Sequence, residues 1–259
     1  MQWQTLFHKE ILENWRNYNW IWVPLVIVIL AIMDPITNYY LPEIIEAVGG
    51  VPEGAVFEIP TPTPVEAMMM SLSQLSTLGV LVFILISMGT IAGERKSGIA
   101  EVIFTKPLSF KNYITAKWVS WISLSWLSLL LGLTLSWYYI TILYGNFSFS
   151  AFLQVFLFYG IWYMFVITIS IFYNTWLKTP GLVVFLTIAT LGLLHTITSI
   201  FDHVLTWSPM KISTYIHETL VYESIQTDLI ATAIVTIGLM IILLIIAVVI
   251  MDKKEIIHK

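Results

Sequence analysis

The chain contains no cysteine, so it has neither disulfides nor thiolate metal sites. Charge is almost as scarce: 11% of residues are Asp, Glu, Lys or Arg, against 58% hydrophobic. Soluble domains carry roughly 25% charged residues and only short apolar runs, so this composition excludes one and calls for a membrane. No Gly-Lys pair occurs, which removes the P-loop, whose backbone amides and lysine cradle nucleotide phosphates. Gly93 and Gly98 are suitably spaced, but no lysine follows them. There is no Gly-x-Ser-x-Gly nucleophile elbow. His217-Glu218 lacks the second histidine of a zinc-protease helix, because Val221 stands at that position. Asp202, His203, His217, Glu218 and Glu223 are left as a scattered set for an alternative reading, a metal-dependent enzyme at the outer face. No catalytic residue, metal or cofactor is otherwise expected in this chain.

What the chain does have is long apolar runs. Residues 67–92 and 118–177 carry no formal charge over 26 and 60 positions. A spanning helix needs about 20 mainly apolar residues, which places six spans at 17–34, 67–92, 118–143, 151–177, 181–200 and 229–251. Tyr144-Gly145-Asn146 supplies the turn that splits the longest run, with Ser148 or Ser150 as a cap for the helix that follows. Spanning barrels are excluded, since their strands are short and alternating. No small-residue cleavage site follows the first span, which reads as retained. The expected fold is all-α, one transmembrane domain over residues 1–259.

Lysine and arginine orient the spans. Both termini and the loops 93–117 and 178–180 hold eleven of the twelve basic residues, and only Lys211 lies opposite. Both termini are therefore expected in the cytoplasm of a multi-pass cell-membrane protein. Ten of the sixteen acids, including Glu43, Glu53 and Glu58 in the proline-rich segment 34–66, fall outside. Nucleic acid is not an expected partner. Leu41–Val48 reads as a short helix, Pro60–Pro64 as extended. The half-apolar segment 201–228 reads as short outer helices, broken at Pro209 and capped by Ser213.

Residues 1–16 place Leu6, Phe7, Ile11, Leu12 and Trp15 at helical spacing, with Lys9, Glu10, Glu13 and Arg16 between them. This is an amphipathic helix suited to the inner membrane interface, anchored by Trp15, Trp20 and Trp22. Inside the spans, Gln74, Asn174 and His195 are the notable polar groups, and His195 reads as a hydrogen-bonded packing residue. Gly89/Gly93 and Ser128/Gly132/Ser136 are small-residue ladders that permit close helix approach.

The polar island Gly93–Lys117 holds five basic residues between the two uncharged runs. Within it, Ile99, Val102 and Ile103 form a small apolar stripe beside Glu101, bracketed by Gly98 and Pro107, and Ser109 starts the next helix. Glu94, Gly98, Pro107 and Lys117 reproduce the pattern that follows the second span in ABC-2 type permeases, which the chain resembles across nearly its whole length. The resemblance implies a permease subunit of an ATP-binding-cassette transporter, with export as the expected direction. It implies a coupling helix at 97–106 seated on a separate ATPase dimer that binds ATP and Mg. Glu94, Gly98, Ile99, Glu101, Val102, Ile103, Pro107 and Lys117 would then be the contact residues. It also implies a connecting helix at 1–16 and a second permease subunit, the same or a related chain. An ATPase-linked membrane subunit that senses or signals without transport is the alternative.

Overall fold

The structure, a computed structural model, describes residues 2–47, 61–104 and 108–257. It contains helices α1 (Gln2–Arg16), α2 (Asn19–Tyr39), α3 (Leu41–Ala47), α4 (Pro64–Gln74), α5 (Val80–Ser87), α6 (Ala92–Lys96), α7 (Ile99–Phe104) and α8 (Phe110–Leu143). These are followed by α9 (Phe149–Trp176), α10 (Pro180–Ile200), α11 (Ile212–Val221) and α12 (Thr227–Ile257). There is no strand among the described residues. Six stretches are long and apolar enough to cross a membrane: Asn19–Tyr39, Pro64–Lys96, Phe110–Leu143, Phe149–Trp176, Pro180–Ile200 and Thr227–Lys253. The protein is an all-α membrane protein. Six crossings put both ends of the chain on one side, the terminal side, opposite the far side.

Several helices outrun the lengths expected from apolar composition. The first span continues through Asp34-Pro35 to Tyr39, because partners hold its polar groups: Gln74 Nε2 donates to Asp34 Oδ1 at 2.9 Å and Tyr144 Oη donates to the Pro35 carbonyl at 2.6 Å. The third span begins at Phe110, not at residue 118, so Lys117 stands inside a spanning helix. Ser109 occupies the N-cap position without a side-chain cap, whereas Ser148 accepts from the Ala151 amide and caps the fourth span. On the far side Thr63 and Glu66 close a capping box at the start of α4, with Pro64 in its first turn. The expected helix near Leu41 is present as α3, while the acids Glu53 and Glu58 and the proline Pro60 lie outside the described residues. In the segment before the last span, Ser208, not Ser213, accepts from the Met210 amide and starts a short 3₁₀ turn that leads into α11.

The fourth span, α9, lies deepest in the bundle, and the fifth and sixth are the most open. The second span packs on α9 through a π-turn at Leu75–Gly79. Tyr159 and Tyr163 of α9 donate to the Leu72 and Leu75 carbonyls at 3.0 and 2.8 Å, and Ser76 Oγ meets Tyr159 Oη at 2.7 Å. A Cβ at Gly79 would stand 2.2 Å from the Tyr163 hydroxyl. Gly79→Ala must therefore displace that tyrosine and is expected to cost about 1–3 kcal/mol, read as a lower thermal midpoint in detergent; an unchanged midpoint would show that the tyrosine contact contributes nothing.

The two small-residue ladders behave differently. Gly132 meets the backbone of Ile27 in the first span, and Ser136 bonds Ser71 at 2.8 Å. A Cβ at Gly89 or Gly93 would meet nothing within 4 Å, so that pair serves no close packing within the chain. Gly89 lies in the break between α5 and α6, and Gly93 in the first turn of α6.

Candidate functional site: the terminal-side junction

Three chain segments converge on the terminal side, and charge brings them together. Lys117, near the base of α8, is 2% exposed. Its ammonium donates to Glu10 Oε1 of α1 at 2.8 Å and to Glu94 Oε1 of α6 at 2.9 Å. Tyr113, one turn earlier on α8, donates its hydroxyl to the other oxygen of Glu94, and its ring lies 5.0 Å from the Lys117 ammonium. Lys9 joins from the rim, 2.8 Å from Glu94, 3.0 Å from Glu10 and 3.0 Å from Glu13. Burial alone would lower the Lys9 pKa, but the Glu10 and Glu94 carboxylates outweigh it and hold the group well above its ordinary value. Lys9 thus stays charged at neutral pH, and its contribution would fade only above the ordinary lysine range.

Hydrogen bonds extend the junction along α1. Asn14 donates to Ser120 Oγ at 3.2 Å, Asn19 donates to Asn14 at 2.8 Å, and the Trp3 indole donates to Thr115 at 3.1 Å. Glu10 and Asn14 are buried although they belong to a surface helix. Residues 2–16 form the expected helix, and within it Glu10 departs from the charged outer face assigned to it. Glu10 faces Lys117 rather than water, because an uncompensated lysine inside a span is costlier than an ordered carboxylate beside it. Phe7 stacks on Trp3 at 5.1 Å, and Leu12 and Trp15 are exposed on the outer flank with Arg16. A half-open polar cavity of about 190 Å³, lined in part by Glu10, Asn14, Thr90 and Lys117, adjoins the ion cluster.

A second device sits one layer deeper. The second span opens between Ser87 and Ala92, leaving backbone groups there without helical partners. Asn174 of α9, fully buried, fills that gap. Its carbonyl oxygen accepts from the Ile91 and Ala92 amides, each at 3.1 Å, and its amide donates to Ser87 O at 3.0 Å and Ser170 O at 2.9 Å. Thr90 donates to Ser87 O at 2.7 Å and accepts from the Trp121 indole at 2.8 Å. Arg95 reaches the Thr175 carbonyl at 2.9 Å. Spans 2, 3 and 4 are therefore tied together immediately above α7.

Helix α7 is short and splits its faces. Gly98 before it takes φ +76°, a conformation open to glycine and strained for other residues. Ala100 is buried, and Ile103 and Phe104 pack on the core, Phe104 edge-on to Tyr113 and Phe110. Ile99 and Val102 are 51% and 70% exposed. Of the residues expected to touch an ATPase, Ile99 and Val102 are thus presented outward and Ile103 is half-buried. Glu94 and Lys117 bond each other inside the protein, which corrects their assignment as direct contacts. They hold the base of α7 instead. Pro107 lies outside the described residues, as does the Glu101 side chain.

The junction has the ligand types of a metal site but not its charge balance. Glu10, Glu13 and Glu94 are the one His/Asp/Glu trio among the described residues with oxygens within 4.8 Å of one another, and the Lys9 and Lys117 ammoniums already pair with them and balance two of the three charges. Asp202, His203, His217, Glu218 and Glu223 do not assemble into such a trio. Asp202 instead pairs with Lys211 at 2.7 Å.

No family model matches the chain. It is 31% identical over 208 residues to a Bacillus subtilis protein described as the uncharacterized transmembrane protein YxlG, an alignment spanning 80% of this chain and 81% of that relative.

Proposed function

We propose that this chain, which belongs to the same family as the Bacillus subtilis transmembrane protein YxlG, is the permease subunit of an ATP-binding-cassette exporter. Two such subunits would lie side by side in the cell membrane, termini in the cytoplasm, above a separate ATPase dimer that binds ATP and Mg. ATPase closure would push α7, and the ion cluster would pass that motion to α1 and span 3 while Asn174 passes it to spans 2 and 4.

One observation carries this reading. A short surface helix presents Ile99 and Val102 outward from a base fixed by the Glu94–Lys117–Glu10 bonds. A loop that served only to set topology would need neither the exposed apolar pair nor the rigid mount. The resemblance of Glu94, Gly98, Pro107 and Lys117 to the ABC-2 pattern supplies the partner class, and the missing P-loop explains the need for one.

The test is co-purification. Ile99→Glu with Val102→Glu should leave the chain folded and reduce its association with a P-loop ATPase at least tenfold. It should also abolish the chain's stimulation of ATP hydrolysis. Full retention of both by the double variant would remove α7 from the interface.

A further inference from the structure

Away from the junction, a groove of about 720 Å³ runs along the second and fifth spans beneath α11. Its deeper wall is apolar, with Leu81 and Ile84 on one side and Leu191 on the other. Its far-side end is polar, with His195 on α10 and Ser213 and Thr214 on the first turn of α11. His195 is exposed rather than packed, and it has no hydrogen-bond partner among the described residues, a correction to the packing role expected from sequence. Ser213 and Thr214 have none either.

His195 stands five residues before the end of α10, roughly 8 Å inside the far-side end at 1.5 Å per residue. With the end of α10 taken as the membrane surface, that depth falls at the boundary between headgroups and acyl chains, where an unpaired imidazole open to lipid is costly and marks a site that takes a partner. The π-turn at Leu75–Gly79 borders the same groove, and such turns recur at functional sites.

We propose that this groove binds one membrane phospholipid. An acyl chain lies along Leu81, Ile84 and Leu191, and the phosphate accepts hydrogen bonds from the His195 imidazole N–H and the Ser213 and Thr214 hydroxyls. The lining offers donors for an acceptor-rich group at its polar end and carries no Asp, Glu, Lys or Arg, so recognition runs through hydrogen bonds to phosphate. The far side is rich in acids, Glu218 and Asp228 among them. That field favours a headgroup with an ammonium beyond its phosphate, as in phosphatidylethanolamine, over a glycerol headgroup of net negative charge. The site stands independently of any ATPase partner.

The test is native mass spectrometry of the detergent-purified chain with equal added phosphatidylethanolamine and phosphatidylglycerol. One bound lipid per chain is expected, with phosphatidylethanolamine in excess. Its retention should fall about tenfold in His195→Leu, as expected for the loss of a hydrogen bond to a charged group. The pair Ser213→Ala, Thr214→Val should produce a comparable loss, while Leu193→Ala, on an exposed position of the same helix, leaves retention unchanged. Thermal midpoints confirm that each variant is folded. Equal retention by all variants would mean an unspecific lipid annulus, and preference for phosphatidylglycerol would overturn the headgroup assignment. Because the chain is cysteine-free, Leu191→Cys supplies a second arm. Oxidative cross-linking between two chains in the membrane would mean that a second copy, not a lipid, covers the groove.

Discussion

Lys117→Met is expected to be the most damaging single substitution on the terminal side. It leaves Glu10 and Glu94, both buried, with only the rim residue Lys9 to balance them. Removing one partner of a buried ion pair typically costs about 3–5 kcal/mol, because the remaining charge is stranded without water. The thermal midpoint in detergent should drop, and the amides of α1 should exchange faster as the helix lifts from α8. Methionine keeps most of the length of the unbranched side chain, so lost packing is a small part of the effect. Adding Glu10→Gln and Glu94→Gln to Lys117→Met should restore most of the stability, since no stranded charge remains. Lys9→Met, at a side chain 40% exposed, should cost about 1 kcal/mol or less. A Lys117→Met protein as stable as the parent, with α1 equally protected, would show that the ion cluster does not hold the junction.

Asn174→Ala is the second large effect. The substitution orphans the Ile91 and Ala92 amides at the break in the second span and strips a donor from Ser87 O. Each buried group left without a partner costs about 1–3 kcal/mol, so the two amides together amount to roughly 2–6 kcal/mol. The loss should be local. Exchange at Ile91 and Ala92 should rise strongly while the amides of α12 stay protected. Ser170→Ala, which removes the single 2.7 Å bond between Ser170 and Ser87, should cost only about 1 kcal/mol. Under the proposed ATPase coupling, Asn174→Ala should keep the ATPase bound but weaken transport per ATP hydrolysed, because α7 would move without carrying spans 2 and 4. Unchanged protection at Ile91 and Ala92 would contradict the clamp.

The bundle itself was legible in the sequence because hydrophobic length is a one-dimensional property. Six apolar stretches and a Ser148 cap can be read without knowing what touches what. Helix ends were harder. The first span was expected to end at residue 34, and the contacts of Asp34 and Pro35 with Gln74 and Tyr144 explain why the helix runs on. The terminal-side cluster was half legible: Glu10, Glu94 and Lys117 were each singled out, but as surface groups. Their pairing spans sequence separations of 107 and 23 residues, which no local pattern reports. A usable signal did exist, since an isolated lysine and an isolated acid at adjoining span ends each need a partner of opposite sign. Asn174 was noted as an uncharged polar group, yet its role depends on a helix break that Met88-Gly89-Thr90 does not announce. His195 was misread for a related reason, because helical spacing does not tell which side of α10 is open.

The central claim, that α7 is where a separate ATPase drives this membrane protein, is tested most directly by cross-linking from Val102. A Val102→Cys chain, otherwise cysteine-free, carrying a short photoreactive label and irradiated in its own membranes, should give one dominant adduct. Mass spectrometry should identify that adduct as a P-loop ATPase, and addition of ATP should change its yield. Adducts with lipid alone, with the ATPase absent at every label position along α7, would contradict the account.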